Sequence, residues 1–314
     1  MKGALGGELA AEGRMLRNLE EMTRQRLFEM LSFLRLIRSE LFASILSTQP
    51  VITLAITSQK GGVGKTTLAI NLAHAFARSG RRTLLVDSDP QGSVGLSLTR
   101  QSRHLSGFYD MLGNPSVSAE NIIVPTRLPT LSLVASGRSS AYELGGGSMG
   151  VTLHRVRCFL SEVAALNYDV CIIDTAAGLF GATADVLSAS TGVIVPQQAE
   201  PLGVRSVPKM LEALARMRVV NPQLQVLGVV LTMVNKKLPE SLESAEALRN
   251  LLPPEMVMQT VIPRDDLFVK ASARGLPVGV MEEGAEALAI FEGLRTELER
   301  RIVPPNPQSA EYAK

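Results

Sequence analysis

Eight consecutive residues hold most of the chain's chemical potential: Lys60-Gly61-Gly62-Val63-Gly64-Lys65-Thr66-Thr67. Three glycines within four positions let backbone N–H groups converge on an anion with no Cβ in the way. Lys65 carries a charge that can reach phosphate oxygens, and the Thr66 hydroxyl is a hard-oxygen ligand suited to Mg²⁺. Acids that could complete such a centre lie downstream, in Asp87-Ser88-Asp89-Pro90-Gln91-Gly92-Ser93 and at Asp174. The chemistry this residue set suits is binding and transfer of phosphoryl groups.

The elements that must position these residues are legible as apolar runs. Val51 to Thr57 reads as a buried strand, and Leu68 to Ala77 has the apolar spacing of a helix, so the glycine-rich turn sits between strand and helix. The helix that follows adds its N-terminal partial positive charge. Arg82 to Val86 is a second strand with Asp87 and Asp89 at its carboxyl end, the edge at which open α/β sheets bind ligands. Tyr168 to Thr175 is a third, ending in Asp174, and the runs 131–134, 192–196 and 226–234 add more. Gly203 to Arg218 and residues 284–302 read as helices.

The loop departs from the ordinary G-x-x-x-x-G-K-[ST] pattern, because Gln59 replaces the first glycine and Lys60 follows it. This K-G-G-x-G-K-[ST] form resembles the deviant Walker A motif of the ParA/MinD superfamily of P-loop ATPases. Asp87-x-Asp89-Pro-Gln-Gly-Ser, the strand ending in Asp174 and the run Val195-Pro196-Gln197-Gln198-Ala199-Glu200 resemble further motifs of that family in the same order. The resemblance covers residues 50–302 and is closest to ParA-like members. It implies an α/β fold, a mostly parallel, doubly wound sheet of about seven strands with helices on both faces. It also implies ATP and Mg²⁺ as cofactors and slow, partner-stimulated hydrolysis. On the matching positions, Lys60, Gly61, Gly62, Val63, Gly64, Lys65, Thr66 and Thr67 would hold phosphates. Lys60 would cross a homodimer interface to the partner subunit's nucleotide. Thr66 and Asp174 would support the metal, with Asp87 near it through water, and Asp89 would orient the attacking water. Asn235 resembles the adenine-reading residue of MinD-like members, although an Asn at a strand end equally serves as a turn residue. The Ile262-Pro263-Arg264-Asp265 segment resembles the one that packs on the base, which assigns Pro263 and Asp265 to the nucleotide. One departure stands out: the family's Asp-Thr-Pro-Pro is Asp174-Thr175-Ala176-Ala177 here, and alanines do not fix φ as prolines do.

The family's ParA members bind DNA non-specifically through scattered basic residues. Arg205, Lys236, Lys237, Lys270 and Arg274 are the corresponding candidates, within a basic excess that includes Lys209, Arg216 and Arg218; a solvated charged face is the equally simple reading. The expected partners are therefore a second copy, non-specific double-stranded DNA and an activating protein that is ParB-like or an adaptor. The expected location is cytoplasmic and nucleoid-associated. The alternative is a MinD-like, membrane-associated regulator of division or organelle placement. An electron-transfer ATPase would need cluster-ligating thiolates, and Cys158 and Cys171 do not match.

Composition sets bounds on these readings. With 46% hydrophobic and 20% charged residues, 314 residues suffice for one α/β domain plus an extension. A formal net charge of +2 implies no global attraction to DNA, and 4% aromatics with no Trp give little for stacking on single strands. We divide the chain at 1–49, an extension with a long amphipathic helix from Arg14 to Leu46; 50–303, the ATPase domain; and 304–314, a polar tail too rich in proline for a C-terminal membrane helix. Gly145-Gly146-Gly147-Ser148 reads as a mobile loop.

Overall fold

The computed structural model describes residues 51–94, 105–138, 151–219, 221–222 and 224–302. The expected N-terminal helix, the 145–148 loop and the polar tail lie outside these residues. The described chain runs β1 (Ile52–Ile56), α1 (Lys65–Arg78), β2 (Thr83–Ser88), α2 (Phe108–Gly113), α3 (Ala119–Ile122), β3 (Ile123–Pro125) and β4 (Leu131–Val134). It continues through α4 (Val151–Ala165), β5 (Val170–Thr175), α5 (Ala182–Ala189), β6 (Gly192–Gln198) and α6 (Pro201–Met217). It closes with β7 (Gln225–Val234), α7 (Pro239–Leu251), β8 (Val257–Pro263), α8 (Asp266–Arg274) and α9 (Ala285–Ile302).

The strands form one sheet in the order β3-β4-β2-β5-β1-β6-β7-β8. Every pairing is parallel except β3 with β4. Strands β2 and β5 are buried at every position, which is why they read as unbroken apolar runs. The described residues give eight strands, where about seven are expected. Two were not among the apolar runs read as strands: the three-residue antiparallel edge strand β3, which ends in Pro125 and is too short to show an alternation, and the opposite edge strand β8, whose burial is broken at the exposed Gln259.

The sheet order reverses at β1. The chain builds outward on the β5 side first and returns to build the β6 side, so the turn after β1 opens at the switch point where such sheets hold ligands. The other edge is stitched by α9. Glu297 accepts the N–H groups of Gln259 (2.8 Å) and Thr260 (3.1 Å), which lie between the paired β8 positions Val257 and Val261. Arg301 donates to the carbonyls of Leu227 (2.7 Å), Glu255 (2.6 Å) and Val257 (3.1 Å), and to Glu297 (2.9 Å).

Candidate functional site: a phosphate loop beside two buried carboxylates

The loop between β1 and α1 is shaped by its glycines. Gly62 (φ 76°) and Gly64 (φ 88°) occupy the left-handed region that other residues adopt at a cost, and Gly64 is the residue from which α1 starts. This reversal turns the first N–H groups of α1, which a helix leaves without internal partners, toward the loop's interior. The loop is anchored on two sides. Gly178 N–H donates to the Ser58 carbonyl at 2.9 Å, and the buried Thr232 hydroxyl donates to the Val63 carbonyl at 2.9 Å. A cleft of about 660 Å³ opens over it, lined by the loop and first turn of α1 (Gly61, Gly62, Gly64, Lys65, Thr66 and Thr67) together with Asp89, Pro90, Gln91, Ser93, Ala176, Ala177 and Met233.

Strands β2 and β5 place two carboxylates in register, Asp87 opposite Asp174, buried behind the cleft lining and reached through Thr66. Both are fully buried. The Thr66 hydroxyl donates to Asp174 Oδ2 at 2.6 Å, while Asp174 Oδ1 is buried without a hydrogen-bond partner. Burial, first, and then the charge of Asp87 push the Asp174 pKa up to about 8, against the opposing pull of the Thr66 hydroxyl and the Lys65 ammonium. A buried carboxylate that lacks one partner and sits against a threonine hydroxyl fits a hard cation. Among the described residues no group of three or more His, Cys, Asp or Glu is set to hold a metal ion. Mg²⁺ does not require one, since it takes one or two protein ligands and fills its shell with water and phosphate oxygens.

Asp87 also holds a turn in place, which the sequence did not reveal. Its Oδ1 accepts the Asp89 N–H at 3.2 Å and its Oδ2 accepts the Val94 N–H at 2.9 Å, so it shapes the turn carrying Asp89. Asp89 itself is half-buried in the cleft wall, with Oδ1 accepting the Gln91 N–H at 3.0 Å. Lys60 is exposed, and its ammonium donates to the Leu202 carbonyl in the first turn of α6 at 3.0 Å.

Asn235, Pro263 and Asp265 lie beyond the cleft lining but close to one another along the chain ends of β7 and β8. Val234 pairs with Pro263, and Arg264 N–H donates to the Val234 carbonyl at 3.0 Å. The Asn235 amide oxygen accepts the Lys237 N–H at 3.0 Å, and Asp265 caps α8 by accepting the Leu267 N–H at 2.8 Å. Each of these bonds is local, within a turn for Asn235 and at a helix start for Asp265. Arg205 on α6, Lys236 and Lys237 in the turn after β7, and Lys270 and Arg274 one turn apart on α8 are all exposed. Of the wider basic set, Arg216 is paired with Glu212 at 2.7 Å and Arg218 is only half-exposed. His154 is exposed on α4, with its ring 3.5 Å from the Cys158 thiol.

Comparison with known proteins agrees with this geometry. Residues 54–278 match the CobQ/CobB/MinD/ParA nucleotide binding domain. The chromosome partitioning protein ParA of Caulobacter vibrioides is 36% identical over 239 residues, 74% of this chain and 88% of the relative. That of Myxococcus xanthus is 31% identical over 258 residues, 81% of this chain and 90% of the relative. Among solved structures, apo McdA from Cyanothece superposes with a TM-score of 0.69 at 22% identity, covering 79% of this chain and 99% of that one. Cobyrinic acid a,c-diamide synthase from Mycobacterium smegmatis, with bound ADP and magnesium, superposes at 0.63 and 26% identity, covering 80% and 94%. The glycine-rich loop, the paired strand-end acids and the sheet order thus occur together in a chain that belongs to the CobQ/CobB/MinD/ParA family of nucleotide-binding proteins, on its ParA-like branch.

Proposed function

We infer that the protein is a ParA-like ATPase that hydrolyses ATP slowly with Mg²⁺, dimerises around its nucleotide and uses the dimer to position a cargo on DNA. The observation that carries the nucleotide reading is the contact of Thr66 with a buried Asp174 whose second oxygen lacks a partner, directly beside the phosphate loop. The 61–64 backbone and Lys65 hold the phosphates, and Thr66 and Asp174 hold the Mg²⁺ shell. Bound Mg²⁺ supplies neutralisation of charge on the phosphate oxygens. Asp89, on a turn fixed by Asp87, orients the attacking water by accepting a hydrogen bond from it. Lys60 leaves the Leu202 carbonyl of its own chain and reaches the partner subunit's nucleotide, so that nucleotide binding and dimerisation are one event.

The DNA reading rests on the exposed basic residues of α6, α8 and the turn after β7, and on partitioning proteins to which the chain is 36% and 31% identical over the aligned residues. Each lysine or arginine that neutralises a phosphate releases counterions, so such binding weakens steeply with salt. An activating protein, ParB-like or an adaptor, would trigger hydrolysis and release the dimer.

The test is co-sedimentation with nonspecific duplex DNA and, separately, with anionic liposomes, in ATP and in ADP, using the unaltered chain and Asp89→Ala. Salt-sensitive DNA binding that requires ATP and is prolonged by Asp89→Ala is the expected result. Liposome binding without DNA binding would replace the DNA reading with a MinD-like one. Failure to bind either would leave the proposed working surface without support.

A further inference from the structure

The end of β7 departs from strand geometry at one residue. Met233 has φ 53°, in the left-handed region, and is one of two non-glycine residues with positive φ among those described. A long unbranched side chain adopts that conformation only at a cost, and such departures persist where the surroundings enforce them. The pairing of β7 with β8 shifts register between Leu231 and Val234, so the departure sits in a bulge, a device that re-aims a side chain. Its neighbours hold the bulge in place. Thr232 is buried, its hydroxyl on the Val63 carbonyl and its own carbonyl accepting the Ala199 N–H at 3.2 Å, and Val234 is buried. Met233 is not buried between them. It is swung out to line the cleft, with its Cε 3.6 Å from the point a Cβ on Gly64 would occupy.

The sheet order separates this side chain from the two acids. Strands β2 and β5, bearing Asp87 and Asp174, lie on one side of β1, and β7 lies on the other. The metal and the transferred phosphate belong with the acids. A thioether offers phosphate nothing, whereas the faces of a ribose or a base are apolar and polarisable, and sulfur makes favourable contacts with aromatic rings.

We propose that Met233 is a specificity-determining residue of the nucleotide site: its bulged, left-handed backbone sets the thioether over Gly64 as the wall against which the nucleoside packs. The assignment rests on the nucleotide reading above and extends it to the sugar and base. Glycine and asparagine take the left-handed conformation readily, so Met233→Gly and Met233→Asn relieve the backbone and remove the wall together.

The experiment measures affinity for ATP, ADP and inorganic tripolyphosphate, which has no nucleoside, in the unaltered chain and both variants, with a melting temperature for each. Both variants are expected to bind ATP and ADP about tenfold more weakly, the scale of one lost side-chain contact. Tripolyphosphate binding is expected to stay within about twofold of the unaltered chain, and the melting temperature to hold or rise. Equal losses for ATP and tripolyphosphate would overturn the proposal by making Met233 a support of the loop, and unchanged ATP affinity would overturn it outright. An unaltered chain that binds tripolyphosphate but gains nothing from the nucleoside would also overturn it while leaving phosphate binding intact. An unaltered chain that binds neither would remove the nucleotide reading itself. The two substitutions differ in backbone freedom, so a folding defect in one leaves the other to decide.

Discussion

At Asp174, stability and the proposed role in holding Mg²⁺ pull in opposite directions. Its carboxylate is fully buried, one oxygen has no partner, and burial is the main reason its pKa stands near 8. Asp174→Asn keeps the shape and removes the charge. We expect it to raise the melting temperature by about 2–6 °C, on the scale of one relieved buried charge. We also expect it to abolish Mg²⁺-dependent ATP hydrolysis; calorimetry and phosphate release check the two halves separately. A stabilised variant that still hydrolyses ATP would mean that another group holds the metal. What the sequence made legible at this scale is what is contiguous. The glycines and lysines of the loop fall within eight residues, and local geometry alone gives them meaning. The Thr232–Val63 tether was illegible because 169 residues separate its ends. The part Asp87 plays in shaping the Asp89 turn was hidden because an acid at a strand end looks the same whether it meets a cation or a backbone N–H.

Helix α1 shows the same division between visible and hidden at the scale of elements. Its apolar spacing announces a helix, but not that its polar residues Asn71 and His74 are buried against the 278–280 turn. Asn71 accepts the Val278 N–H at 2.8 Å, and a Cβ on Gly279 would lie 3.0 Å from the His74 ring. Burial, first, and then the Arg78 charge lower the His74 pKa to about 4. The folded chain thus favours the neutral ring, while the unfolded chain takes up a proton near pH 6.5. This contribution to stability is whole above pH 6.5 and is lost as pH falls toward 4. Asp174 works the other way, since a carboxyl whose folded pKa is raised to about 8 gains stability as pH falls. The His74 share is therefore read by difference: between pH 7.5 and pH 5 the urea midpoint of His74→Gln should rise relative to that of the unaltered chain, and an unchanged difference would remove His74 from the pH dependence. Helix α6 offers a second check. A Cβ at Gly203 would meet the Gln197 side chain and lie 2.5 Å from the Gln198 carbonyl. Gly203→Ala should therefore cost about 1–3 kcal/mol by denaturant titration, despite alanine's better helix propensity. Among strands, the buried parallel ones were plain as apolar runs; β3 was not, since three residues paired antiparallel at an edge carry no periodicity.

For the whole molecule, the decisive residue is Lys60. It is exposed, and its bond to the Leu202 carbonyl lies at the surface. Surface contacts of this kind contribute little, so Lys60→Ala should shift unfolding free energy by no more than about 0.5 kcal/mol. If Lys60 serves a second subunit, the same change should leave the chain monomeric in ATP where the unaltered chain becomes a dimer, as light scattering would show. A dimer that survives the change would sink the cross-subunit role. Helix α9 has a consequence of another kind. By occupying the N–H groups of Gln259 and Thr260 with Glu297 and the Val257 carbonyl with Arg301, it leaves that border of the sheet fewer groups for a foreign strand to pair with, and β3 with its terminal Pro125 is a poor template at the opposite border. Copies crowded together have few free ladders to extend, which is a safeguard against fibrils rather than a source of rigidity.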